Sequence, residues 1–548
     1  MQIRPSAARL LLAALAATLL AGCSSRAVRL TTDDIWTVDD DRYDIPAPKM
    51  RDPNYTWDWA HRHFFHPVFR LLEVSRYFRD NEAVNVNALG EVPDSSWFTN
   101  RHAKSRMTMD ELLRGPLVGD GPDMSAPWTI TRMKTQGATP GFNIRDARGD
   151  VYVIKFDHPD RQEAAAAAEI IGMLFFYAAG LNVPENFLAD FHPDDLLIEE
   201  GAKIADELGR KRPLTREDLG EILAPIPRRA DGTIHVVASK FLAGKPIGPY
   251  SYKGRRKDDP NDIYRHEDRR ELRGLKTFAA WINHVDIKGP NSLDMFVTEG
   301  DRSFVRHYLI DFGTVLGISS QRSHEPGEGH EFAIDQKEIA KALVTLGLFG
   351  KPWDDAVSMD DPRVGFFEAE TFRPEKWKET YRNPAFLETT PLDAYWGAKL
   401  VMAFTPEEIR AVVAEGGYSS PAVTDYVADI LIERREKVGR YWYSRVAPLD
   451  NFSVDTGGVV RFDDLGVTSG LWGPGAYHYR LVRHADGAEI DSGVTEGVTS
   501  VALPADVSQG EFYYYELRIE RDGKSSEAVR AYLHVGDEVS VVRVDRDA

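Results

Sequence analysis

His284-Val285-Asp286-Ile287-Lys288-Gly289-Pro290-Asn291, followed twenty residues after Asn291 by Asp311-Phe312-Gly313, is the stretch on which the reading of this chain turns. The first segment follows an expected helix over 268–284. An expected hairpin, with strands at 293–297 and 304–310 around Glu299-Gly300-Asp301, joins the two segments. A loop that presents Asp286 and Asn291 five positions apart, facing Asp311 across a hairpin, holds a carboxylate for an accepting hydroxyl and two oxygen ligands for magnesium. Lys288 stands where it can offset charge on a transferred phosphoryl group.

His284, Asp286, Lys288 and Asn291 resemble the protein-kinase catalytic loop, and Asp311-Phe312-Gly313 resembles the metal-binding motif of the same superfamily. The resemblance implies a two-lobed kinase-like fold that uses ATP and Mg2+, with Asp286 as catalytic base, Lys288 assisting, and Asn291 and Asp311 as metal ligands. Singly, Asp286 would also serve as a helix cap, Asn291 as a turn residue and Lys155 as an edge-strand gatekeeper. Their order and placement favour the kinase-like set.

Upstream, residues 128–133, 142–145 and 151–156 read as strands, the last two as a hairpin around Ala147-Arg148-Gly149-Asp150. Lys155 is the lone charge in an apolar strand and wants a partner. The apolar helix expected over 161–179 offers Glu163 and Glu169, of which Glu163 lies in the first turn and suits the helix dipole. The run from Glu169 through Gly180 to Pro184 is similar to the equivalent helix of HipA-like kinases, which implies Glu169 as the partner and Lys155 as the phosphate ligand. Gly137-Ala138-Thr139-Pro140-Gly141-Phe142 stands where a phosphate loop would lie, so Gly137 and Gly141 are nucleotide-binding candidates. It departs from G-x-G-x-x-G, and a plain hairpin turn fits it equally. Residues 236–242 read as a strand, and 238–246 would be the hinge between lobes. No A-P-E follows Gly313, and Thr314 to His330 is rich in Ser, His and Gly. These features resemble the HipA-like and lipid-kinase-like branches.

The chain has 548 residues, 43% hydrophobic and 28% charged, enough for several folding units. Its net charge of −19 argues against nucleic acid and against electrostatic docking on anionic lipid. Arg4 and Arg9 precede an apolar run over 10–20, and Leu20-Ala21-Gly22-Cys23 resembles the bacterial lipobox. That resemblance implies cleavage before Cys23, the sole cysteine, with palmitate-type lipidation there; Ser24 after it points to the periplasmic face of the outer membrane. The alternative is an ordinary signal peptide. Residues 164–181 are apolar enough to suggest a membrane span, but Glu169 in their middle and the flanking strands favour a buried helix. His61, His63 and His66 are spaced for no single helix face, so an aromatic-rich docking helix is expected there rather than a metal site.

The expected fold is α+β: a two-lobed protein-kinase-like fold with a C-terminal antiparallel β-sandwich of immunoglobulin or fibronectin-III-like type. Its parts are a signal peptide at 1–22, a lipidated Cys23 with a flexible tether over 23–50, and an extension over 51–125. An N-lobe over 126–245, with an inserted helical loop at 192–232, precedes a C-lobe over 246–448, mainly helical from 335, and the sandwich over 449–548. The expected activity is an extracytoplasmic, membrane-tethered phosphotransferase acting on a protein, sugar or lipid hydroxyl. Because the signal would send the chain away from cytoplasmic ATP, a catalytically silent binding scaffold stays open, as does nucleotidyl (AMP) transfer.

Overall fold

The computed structural model describes residues 30, 41–52, 55–65, 69–70, 72, 81–133, 141–205, 210–319, 322–348 and 350–548. Cys23, His66, Gly137 and the expected signal peptide lie outside them.

The first lobe is a six-stranded sheet in the order β4-β8-β3-β2-β1-β5. Its strands are β1 (Trp128–Met133), β2 (Gly141–Arg145), β3 (Val151–Lys155), β4 (Asn186–Phe191), β5 (Leu196–Ile198) and, after a small hairpin of β6 (Lys203–Ala205) and β7 (Lys211–Pro213), β8 (Ile234–Lys240). All its pairs are antiparallel except β1 with β5. Alternation sends Ile130, Phe142, Ile144, Tyr152 and Ile154 into one core. Leu214, Leu219, Leu223 and Ile226 cover that core. The segment expected as an inserted helical loop combines three short strands with turns. It holds one helix, Arg216–Leu223, capped by Thr215 and Asp218, and supplies the lid of the lobe's core. Period two along β3 puts Lys155 on the opposite face from Tyr152 and Ile154.

That face meets the Ala164–Ala179 helix, of whose residues only Ala165 and Tyr177 are not buried. Phe175 packs edge-on to Trp281 at 4.8 Å and to Phe404 at 5.1 Å. Gly180 ends the helix at φ +117°, where a Cβ would lie 2.6 Å from the Thr99 carbonyl oxygen. The helix starts three residues later than expected, because Glu163 is at φ +71°. Asp157 organises this start: its carboxylate accepts from the backbone N–H groups of Glu163, Ala165 and Ala166 at 2.8–3.0 Å.

The second lobe holds β9 (Lys245–Pro246), β10 (Ser292–Glu299) and β11 (Arg302–Leu309), and the helices Arg270–Trp281, Pro391–Met402, Pro406–Ala414 and Pro421–Arg445. The first two helices cross closely: a Cβ on Gly397 would stand 2.3 Å from the Gly274 carbonyl oxygen. Arg434, 3% exposed, donates to the carbonyls of Ala280, Trp281 and Glu368 at 2.6–2.8 Å, and so ties off the helix that leads into the His284–Asn291 segment. Burial lowers its pKa to about 9, opposed by Glu368, so it stays cationic at neutral pH.

Two further expectations change. Residues 346–383 are irregular rather than helical; Gly347, Gly350, Pro352, Pro362, Gly365 and Pro374 interrupt any helix there. Residues 41–52, expected as part of a flexible tether, are held along the second lobe. The Ile45 N–H donates to the Ser303 carbonyl and the Arg51 N–H to that of Ile247, both at 2.9 Å, and Asp41 accepts from Ser96. The histidine segment is a helix, Tyr55–Ala60, running into one π turn, His61–Phe65. Among the described residues no three His, Cys, Asp or Glu side chains group as a metal site, and no helix is long and apolar enough to cross a membrane.

After Arg445 the chain forms two antiparallel sheets, of three and six strands, that share one apolar cluster including Leu449, Phe462, Tyr477 and Tyr515. Asp450, 7% exposed, binds Arg546 at 2.7 Å and Lys399 of the helical lobe at 2.5 Å, which pins the sheets to that lobe.

Replacing Arg434 by Met takes a charged donor from three buried carbonyls. The variant should lose about 3 kcal/mol of stability, read as a lower urea midpoint at unchanged slope.

Candidate active site

Three elements meet where β3, the Ala164–Ala179 helix and the end of β11 converge. Lys155 Nζ lies 2.5 Å from Glu169 Oε1 and 3.2 Å from Asp311 Oδ1. Glu169 is 2% exposed. Its Oε2 accepts from the Phe312 backbone N–H at 3.1 Å and from Asn186 Nδ2 at 3.2 Å. Burial alone would lower the Lys155 pKa, but the Glu169 and Asp311 carboxylates raise it further, so the ammonium is held charged. Burial raises Glu169, opposed by the Lys155 charge and the Phe312 N–H.

Asp311 sits at φ +69°, a left-handed conformation that costs a non-glycine residue on the order of 1 kcal/mol. The turn swings its half-exposed carboxylate toward Lys155 while Phe312 points inward. Phe312 is fully buried, stacked 5.1 Å from Phe176. A Cβ on Gly172 would come 2.7 Å from the Phe312 Cβ, so a glycine on the helix makes room for this packing. His284 is also fully buried, 5.7 Å from Phe176 and 6.3 Å from Phe312. Burial lowers its pKa to about 3, against the pull of Asp311, so it is a neutral packing residue at physiological pH.

The loop after His284 forms the second half of the site. Asn291 Nδ2 donates to the Asp286 carbonyl at 2.8 Å and to Asp286 Oδ2 at 3.0 Å, which leaves Oδ1 as the acceptor atom of this amide. Lys288 Nζ is 2.6 Å from Asp286 Oδ1 and 5.0 Å over the Tyr381 ring. Burial raises the Asp286 pKa, opposed chiefly by Lys288 and Asn291. The Ile310 N–H donates to the Asn291 carbonyl at 3.1 Å and so fixes the loop against the residue before Asp311.

The structure thus gathers Lys155, Glu169 and Asp311 in one cluster and Asp286, Lys288 and Asn291 in another, with the Asn291–Ile310 bond joining them. Gly141 opens β2 directly opposite Lys155. Glu163 is elsewhere: its Oε2 accepts from the Ser419 N–H and hydroxyl at 2.9 Å. Asn186 and Asp157 escape the sequence reading. The signal for Asn186 was an amide at the start of an apolar strand, a group that needs a partner when buried. Oxygen donors from Asp311 and Asn291 suit a hard divalent cation, and the Lys155 ammonium beside them suits phosphate.

No protein-family model matches the chain, and no curated protein matches it. In structure it is similar to the Helicobacter pylori proinflammatory kinase CtkA, at 11% identity over 56% of this chain and 93% of that one, with a TM-score of 0.29. It is similar to the Golgi casein kinase at 10% identity over 75% and 94% of the two chains, TM-score 0.28. The same kinase with Mn/ADP bound gives 10% identity over the same shares and a TM-score of 0.26.

Glu169→Gln removes the charge that orients Lys155, whereas Glu163→Gln touches only the Ser419 loop. Titration of the Lys155 ammonium followed by NMR should show a lower pKa than the parent's in the first variant and an unchanged one in the second.

Proposed function

We propose that this chain is a magnesium- and ATP-dependent phosphotransferase with a kinase-like two-lobed fold, of the HipA-like or lipid-kinase-like branch. In this reading it is anchored by lipid at Cys23 and works outside the cytoplasm at the periplasmic face of the outer membrane, and its C-terminal sheets form an immunoglobulin-like sandwich. The observation that carries the reading is the placement of Lys155 Nζ within 3.2 Å of both Glu169 and Asp311, at the mouth of a loop holding Asp286 and Asn291.

Asp311 and Asn291 Oδ1 would hold a magnesium ion and Lys155 the phosphates of a nucleotide, which when bound would supply the transferable phosphoryl group. Asp286 would accept the proton of the acceptor hydroxyl, the bond formed at that oxygen being balanced by release of the nucleoside diphosphate. Its burial-raised pKa makes it a stronger base than an exposed aspartate. Asn291 keeps Asp286 Oδ2 in place, and Lys288 neutralises charge beside the transferred group. Glu169, held by Asn186 and the Phe312 N–H, fixes the lysine and the Asp311 turn together.

The test uses the chain from Ser24 onward with magnesium and ATP labelled at the γ or the α position. Label retained from γ, and lost in Asp311→Ala, is the expected result. Retention only from α would make it a nucleotidyl transferase, and no nucleotide binding by the unsubstituted chain would sink the enzyme reading.

Lys288 opposes the burial that raises Asp286, so Lys288→Met should raise the pKa of that carboxyl further. Because the base must be ionised, the acid limb of the kcat profile then moves to higher pH; an unmoved limb would remove Asp286 as the titrating group.

A further inference from the structure

Residues 377–383 run beside the loop that carries Asp286 and Lys288 and bond to its neighbourhood three times. The Trp377 indole N–H donates to Asn283 Oδ1 at 2.9 Å, the Thr380 N–H to the Val285 carbonyl at 2.9 Å, and the Asn383 side-chain amide to the Ile287 carbonyl at 3.4 Å. Asn383 is fully buried, and its own N–H donates to the buried Glu379 at 2.8 Å. Tyr381 lies between these attachments, half-buried, with its ring 5.3 Å from that of the buried His63. The segment therefore holds this ring at a set height beside the loop.

The ring faces the Lys288 ammonium, 5.0 Å from its centroid. That ammonium also lies 2.6 Å from Asp286 Oδ1, with 28% of the lysine side chain and 22% of the aspartate side chain exposed. Asn291 fixes the Asp286 carboxylate from its other oxygen, so the lysine is the movable member of the pair. A flexible, water-reached lysine is held weakly by one carboxylate, because the pair loses rotamer freedom for a screened attraction. The negative face of an aromatic ring adds a second hold on the same cation. The two cations that flank Tyr381 in sequence are engaged elsewhere: Lys378 with Asp335 and the Phe332 ring, Arg382 with Gln336 and the same ring. We infer that Tyr381 is a positioning residue, whose ring face keeps the Lys288 ammonium beside Asp286. On the phosphotransferase reading, on which this step rests, that is where charge on the transferred group is met. The contact is made by the ring and asks nothing of the hydroxyl.

The chain from Ser24 onward is grown with isotope-labelled lysine, and the Lys288 signal is identified by its loss in Lys288→Met. Protons above an aromatic face are shielded by the ring current. The methylene next to the Lys288 ammonium should therefore resonate upfield of an ordinary lysine in the parent and in Tyr381→Phe, and return to the ordinary position in Tyr381→Leu. Tyr381→Trp, with a larger ring, should move it further upfield, and carries the test if the leucine variant does not fold. Hydrolysis of magnesium ATP, with water standing for the acceptor hydroxyl, should show kcat about fivefold lower in Tyr381→Leu at unchanged KM, and regained in Tyr381→Phe. A Lys288 signal at the ordinary position in the parent, or unmoved by loss of the ring, overturns the contact. A phenylalanine variant that behaves like the leucine one assigns the effect to the hydroxyl and overturns the role of the ring. Loss of the upfield shift at unchanged kcat overturns the positioning role. A parent that binds no nucleotide fails the phosphotransferase reading, and the Lys288 signal then decides the contact by itself.

Discussion

Everything in the two lobes converges on a cation held between two carboxylates. Lys155 comes from a strand, Glu169 from a helix and Asp311 from the turn after a hairpin, so three elements distant in sequence must be placed to within an ångström for one ammonium. An ionised carboxylate as buried as Glu169 is tolerable only with partners, and it has three: the lysine, the Asn186 amide and the Phe312 N–H. The last ties the helix to the turn that aims Asp311. A shift of the helix would therefore break the lysine contact and release the turn together.

The rest of the architecture can be read as support for that contact. The Ala164–Ala179 helix is apolar almost all round because it is enclosed by the sheet on one side and by Trp281, Phe404 and their neighbours on the other. Asp157 fixes its start and Gly180 its end, which sets the height of Glu169 along the strand. Phe312, Phe176 and His284 make the aromatic joint between helix, turn and the 285–291 loop, and Arg434 anchors the helix that delivers that loop.

The sequence read well wherever the physics is local. The strand at 128–133, the hairpins and the long helix follow from alternation, turn chemistry and an apolar run, and appear within a few residues of where they were expected. The stretch over 346–383 is irregular where helix is expected because Gly and Pro break its helix-forming residues at intervals that composition alone does not weigh. The held segment at 41–52 was misjudged because polar residues, usually solvated, here bond along a strand edge and to Ser96 and Ser303.

By itself, the sequence determined which residue types stood in which order: a lysine in a strand, glutamates on the next helix, then Asp286, Lys288, Asn291 and Asp311 around a hairpin. The resemblance already favoured Glu169 over Glu163 as the partner of Lys155. The tertiary structure supplied the physical reason, since Glu163 falls in a left-handed turn before the helix, aimed at Ser419, while Glu169 faces β3. It alone supplied Asn186, Gly172 and the neutral, buried state of His284. These depend on which surfaces meet across more than a hundred residues of chain, and no local pattern encodes that.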